Sequence, residues 1–293
     1  LPSVVLFSSL HSYFKFLLFT FFTQATVASY VIRPIVANIG RNASDRVLPF
    51  RLWWNIPLTV TPYFEILSLI EILALYQIGF CYCCFDNFLC ITNLHVAGQF
   101  RILQYRLAYM NNARINKEDE SSNMTFSYRV DHYGAAFKGY VKEHKALIAY
   151  CDKLNEVFSA MVLGQVLMFS VQKYLLLTQK NAIFARRMIF IFHLLTSLCQ
   201  LFMFTYSCDC LMHESANIAT AMYSSPWMHL PMNKGGRMLQ RDLILVAMRS
   251  RSPCCLTAYG FFPVTLETYT KVLSTAVSYF TLLRQSTENV ADS

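Results

Sequence analysis

Apolar residues in this chain come in blocks too long for ordinary amphipathic helices, parted by shorter polar stretches. About 20 predominantly apolar residues cross the hydrocarbon core of a bilayer. Five blocks read as membrane segments, at about 16–32, 60–91, 157–177, 188–211 and 254–283. The first carries no charge between Phe16 and Ile32, and the second is long enough to project beyond a bilayer. Pro34, Pro49 and Pro57 punctuate the loop between these two, which also holds Trp53 and Trp54. A short helix is expected around Leu239–Met248. It breaks at Ser252-Pro253, because proline cannot continue a helix, and the last block follows. The pattern predicts an all-α, polytopic transmembrane helical bundle.

The polar stretches refine this picture. Phe100–Met110 and Phe137–Tyr150 keep apolar residues at helical period with charges between them. They are expected to carry the second and third helices out of the membrane. The acidic run Asn116–Thr125 reads as a flexible loop between them. Residues of about 95–153 and 212–251 would then form a packing domain on the cytoplasmic side. No internal repeat is visible, which weighs against solenoids and inverted-repeat transporters.

Composition agrees. Hydrophobic residues make up 55% and charged residues 14% of 293 positions, against about 25% charged in soluble domains. Nine Lys and Arg lie between Gly98 and Lys153 and five between Lys234 and Arg251, whereas the other two loops hold four each. Positive residues favour the cytoplasmic side, so the C-terminus is expected outside. The net charge of +8 suits anionic membrane lipid, and no basic patch with interleaved aromatics suggests nucleic acid. The chain begins at Leu1, with no charged n-region or cleavage site of a signal peptide. A fragment lacking its own N-terminal part is expected.

Ten Cys do not read as a disulfide framework, because Cys81, Cys83, Cys84, Cys90 and Cys199 sit inside apolar runs as small hydrophobes. Cys208-x-Cys210-x-x-His213 lacks a second ligand pair, so no metal or other cofactor is expected. No phosphate loop, His-Glu-x-x-His or Gly-x-Ser-x-Gly is present, and no enzyme is indicated. Asp45-Arg46-Val47 lies in a loop, and without an Asn-Pro-x-x-Tyr it does not signal a G-protein-coupled receptor.

Several stretches, in order and at consistent spacing, resemble the insect odorant receptor family. They are Leu48-Pro49-Phe50 with Trp53 and Pro57, the run Phe204–Trp227, Leu243–Arg251 followed by Pro253, and Ser278-Tyr279-Phe280 with Leu282-Leu283. The resemblance covers nearly all of residues 1–293 and implies family helices three to seven, with cytoplasmic extensions forming an anchor domain. It also implies an odorant-gated, non-selective cation channel. Its ligands would be small volatile odorants and its partner a co-receptor in a heterotetramer, in the plasma membrane of olfactory sensory neurons. A gustatory-type chemoreceptor channel, or a secondary transporter, is the alternative.

The same resemblance places Leu282 at an apolar gate and Gln285 one turn on, where an amide meets passing ions. Glu267 and Lys271 lie four apart in the last block and share a helix face. They could neutralise each other or bias the path toward cations. An aromatic, apolar odorant pocket is expected among Phe22, Thr26 and Tyr30 of the first segment, Tyr63, Phe64 and Leu67 of the second, and Phe190, Ile191 and Leu194 of the fourth. His193 is a candidate polar anchor. Glu71 and Asp86 are ionisable groups inside the second segment, where such groups usually serve function.

Overall fold

A computed structural model describes residues 2–40, 46–48, 50, 60–109, 123–178, 184–225, 234–275, 278 and 281, with side chains outside 2–15, 123–133, 169–178 and 184–190. Five helices follow one another: α1 (Pro2–Asn38), α2 (Tyr63–Ala108), α3 (Asn123–Thr178), α4 (Phe184–Ser224) and α5 (Lys234–Ser250). A sixth, α6, covers 266–275. At 1.5 Å per residue the 46 residues of α2 and 56 of α3 measure about 69 and 84 Å. A hydrocarbon core is only about 30 Å thick. Among the described residues, three helical stretches are long and apolar enough to cross a membrane: Phe16–Asn38, Tyr63–Ala108 and Ile191–Ser224. The chain forms two compact units.

The first unit comprises residues 1–89, 166–204 and 270–293. Its polarity is reversed relative to a water-soluble core. Leu17, Phe21, Ile70, Leu73 and Ile78 face outward, while Thr23, Thr26, Glu71, Asp86 and Gln200 are buried. An exposed apolar surface this extensive fits lipid and not water. Inside α1, the hydroxyls of Thr20, Thr23, Thr26 and Ser29 each donate to the carbonyl four residues back, at 2.7–2.9 Å. That satisfies them without leaving the helix. Where α1 and α2 approach, Gly79 leaves no room for a side chain unless a neighbour shifts. A Cβ there would sit 2.5 Å from Cγ2 of the buried Val27.

The second unit comprises residues 90–165 and 205–269 and is built around a mainly apolar core. On α2, Val96, Phe100, Leu103 and Leu107 are buried at steps of four, three and four. On α4, Cys208, Leu211, Ser215, Ile218 and Met222 repeat that rhythm. Such spacing forms one continuous apolar stripe per helix. Phe137, Leu154 and Phe158 of α3 and Leu239 and Leu243 of α5 are also buried in this core. Around its edge Arg101 pairs with Glu214 at 2.9 Å and Arg106 with Glu143 at 3.1 Å. His144 is buried with its ring edge-on to Phe100, centroids 6.2 Å apart. Burial, and after it the charge of Arg249, hold His144 below the usual imidazole pKa.

The expected break after α5 is present, but the next residues do not start a helix. Residues 251–265 run extended and reverse tightly, with Thr257 bridging Pro263. The turn places Tyr259 at φ 52° and Gly260 at φ 78°, the left-handed pair that a two-residue reversal demands. Asp209 accepts a hydrogen bond from the backbone N–H of Leu266, capping the start of α6 at 3.4 Å. The last helix therefore begins about one dozen residues after Cys254, because Pro253, Gly260 and Pro263 interrupt the apolar block.

Candidate functional site

Polar side chains inside the first unit gather along the lines where α1, α2 and α4 meet. Thr26 and Thr196 share a hydrogen bond at 2.8 Å, and each also bonds its own helix, to the carbonyls of Phe22 and Phe192. One turn along α1, the ring of Tyr30 stands edge-on to His193 of α4, centroids 6.3 Å apart and planes at 83°. Among the described residues, the buried Nδ1 atom of His193 has no hydrogen-bond partner. Buried polar atoms are almost always matched, so this one marks a place where a polar group of a ligand would be welcome. Lower on α4, Gln200 joins two α2 residues, accepting from the Tyr82 hydroxyl and donating to the Asp86 carboxylate. Thr20 and Cys83 extend this seam, in contact at 3.6 Å.

Residues 46–48 and 50 are fastened to the end of α1 and the first turns of α2. Asn38 uses its amide as a backbone mimic, donating to the Val47 carbonyl at 2.8 Å and accepting from its N–H at 2.7 Å. Arg46 pairs with Glu65 at 3.2 Å and lies 5.1 Å over the ring of Phe64. The backbone N–H of Phe50 donates to Glu71 at 3.0 Å, while the second carboxylate oxygen of Glu71 is buried without a partner among the described residues.

The sequence-derived pocket residues are thus distributed unevenly. Thr26 and Tyr30 meet α4, and Phe22 is half-buried one turn before them. Leu67 and Leu194 are half-buried, Ile191 and Tyr63 are exposed, and the half-buried Phe64 has the Arg46 guanidinium over its ring. Glu267 and Lys271 are exposed on α6. Leu282, Gln285 and the side chain of Phe190 lie outside the described residues. Reading residues singly missed Thr196, Gln200 and Tyr82. Their signal was available: His193, Thr196, Ser197 and Gln200 stand at i, i+3, i+4 and i+7 within an apolar block, which puts one polar face on α4.

The family model described as 7tm odorant receptor matches residues 7–277. Odorant receptor 10 of Aedes albopictus is 27% identical over 228 residues, spanning 77% of this chain and 56% of that protein. Odorant receptor 67c of Drosophila melanogaster is 24% identical over 280 residues, spanning 93% and 65%. The chain thus spans between about half and two-thirds of the length of these relatives. Among solved structures, the olfactory receptor OR5 of Machilis hrabei in complex with eugenol superposes with a TM-score of 0.74 at 15% identity. The match covers 97% of this chain and 69% of that one. The same receptor in a second structure gives 0.75 at 14% identity. At that identity the likeness establishes the fold: a transmembrane helical bundle.

Proposed function

Because the chain belongs to the insect odorant receptor family, a family of multi-pass membrane receptors and not of enzymes, we propose that it is an odorant-tuning subunit of a ligand-gated, non-selective cation channel. It works with a co-receptor in a heterotetramer, in the plasma membrane of olfactory sensory neurons, with its C-terminus outside. The observation that carries the tuning role is the contact of Tyr30 and Thr26 with His193 and Thr196, inside a unit whose outer surface is apolar. That arrangement gives a small volatile molecule an aromatic wall and one polar handle, the composition of an apolar ligand site. Phe22, Leu67 and Leu194 supply further apolar surface. In this reading Leu282 closes the ion path by dewetting and Gln285 meets ions beyond it, while Glu267 and Lys271 bias the approach.

The decisive experiment records odorant-evoked current from the whole-length receptor in cells with and without co-receptor. Current that requires both subunits and depends on the odorant supports the reading. Current that is independent of the co-receptor, or a response only to non-volatile solutes, overturns it.

A further inference from the structure

In the second unit two thiols meet. Cys151 is buried on α3, and Cys254 is half-buried in the extended segment that follows α5. Their side chains are in hydrogen-bonding contact, with Cys151 as donor. The segment is fastened on both sides by groups other than sulfur. One turn beyond Cys151, the Asn155 Oδ1 accepts from the Thr257 N–H at 2.8 Å and from its hydroxyl at 3.2 Å. On α4, the Ser215 hydroxyl accepts the N–H of Cys254 at 2.9 Å. The neighbouring Cys255 is directed elsewhere, its thiol donating to the Leu256 carbonyl at 3.4 Å.

Oxidation-sensitive cysteines combine partial access, a stabilised thiolate and a second thiol in reach. Cys254 has all three. The hydrogen bond from Cys151 draws its pKa below the ordinary thiol value, against the cost of burial and the charge of Asp152, with smaller help from Arg249 and the Ser215 hydroxyl. The same contact, followed by burial, holds Cys151 above it. The half-buried Cys254 is the sulfur an oxidant reaches first, which makes it the attacking one and the buried Cys151 the resolving one.

We propose that Cys254 and Cys151 form a reversible redox-modification site for a hydroperoxide-class oxidant. The Cys254 thiolate takes one peroxide oxygen as the O–O bond breaks, giving a sulfenic acid and, after protonation, water. Cys151 then attacks that sulfur. The S–S bond forms, the S–O bond breaks, and the departing hydroxide leaves as water with the Cys151 proton. Two thiols and one hydrogen peroxide become one disulfide and two waters, and a dithiol reductant returns the two electrons. The cross-link would tie the segment leading into α6 covalently to α3.

The test uses full-length receptor in cell membranes, treated with hydrogen peroxide, alkylated and digested without reduction. Mass spectrometry should find the Cys151–Cys254 peptide pair, removed by dithiothreitol. Cys254→Ser should abolish it. Cys151→Ala, which keeps that site apolar, should leave a sulfenic acid on Cys254 that dimedone traps about tenfold more than in the unaltered protein. The exposed Cys81 and Cys84 report the dose. The proposal is overturned if they are oxidised while Cys254 stays reduced, or if Cys254 links to Cys255 or Cys208 instead. None of these readouts requires current, so failure of the channel reading is distinguishable. A dithiothreitol-reversible change in odorant-evoked current would then connect the bond to gating.

Discussion

Removing Gln200 tests whether the internal polar seam holds the first unit together. Gln200 is buried and joins Tyr82 to Asp86, so Gln200→Leu keeps the volume and deletes two hydrogen bonds between α2 and α4. Interhelical bonds in membrane proteins average about 0.6 kcal/mol and reach about 1.7, which puts the loss at about 1–3 kcal/mol. Part of it is the Tyr82 hydroxyl stranded without its acceptor. Tyr82→Phe alone should therefore cost roughly 0.6 kcal/mol, but in the Gln200→Leu background it should restore stability by roughly as much, since a buried polar group without a partner is worse than none. Thermal unfolding of detergent-solubilised, full-length protein, followed by size-exclusion fluorescence, reads both. At about 2–4 °C per kcal/mol, the single leucine variant should melt several degrees lower and the double variant between it and the unaltered protein. If Gln200→Leu melts with the unaltered protein, or the two changes simply add, the seam is not a coupled network.

Tyr30→Ala should shift the half-maximal odorant concentration by about 10–200-fold, the range of a 1–3 kcal/mol pocket contact. Currents opened through the co-receptor should be spared, and an equal loss for every ligand would assign Tyr30 to packing. His193→Ala should lower sensitivity to odorants that bear a hydroxyl more than to their hydrocarbon counterparts, measured in the same recordings. Glycan should be found by mobility shift on Asn42 of Asn42-Ala43-Ser44 and not on Asn123 of Asn123-Met124-Thr125, and glycan on Asn123 would reverse the orientation. For His144 the folded pKa lies below the unfolded value of about 6.5. Above about 6.5 both states are neutral there. As pH falls through that value the unfolded chain takes a proton that folded His144 refuses, so stability declines until the folded pKa is reached. His144→Asn should flatten the melting temperature between pH 7.5 and 5.

Helix content and the extension of α2 beyond a bilayer were legible because block length and period are local properties of sequence. The stripe Val96, Phe100, Leu103 and Leu107 is visible to anyone counting threes and fours. The turn at 251–265 was less so. Its residues are as apolar as the helix that follows, and only Pro253, Gly260 and Pro263 betray it. For the site, a polar residue in an apolar block says that it has a partner but not which one. Thr26 could be read as lining a pocket, yet that it meets Thr196, 170 positions on, depends on how α1 and α4 pack. Arg46 over Phe64 is the same lesson reversed. An aromatic residue beside a loop cation cannot be told from one facing a ligand until the loop is placed.

The contact at Gly79 carries a mechanical consequence. Because nothing larger than hydrogen separates that backbone from Val27, α1 and α2 already stand at the limit of approach. Lateral pressure from the bilayer cannot press them closer there. Compression of the surrounding lipid must instead be taken up by tilt or by sliding along the pair, with Gly79 as the fulcrum. Gly79→Ala would move that fulcrum by the width of a methyl group, so the variant's response to bilayer thickness, read in vesicles of graded acyl-chain length, would measure how much the receptor's behaviour depends on its lipid.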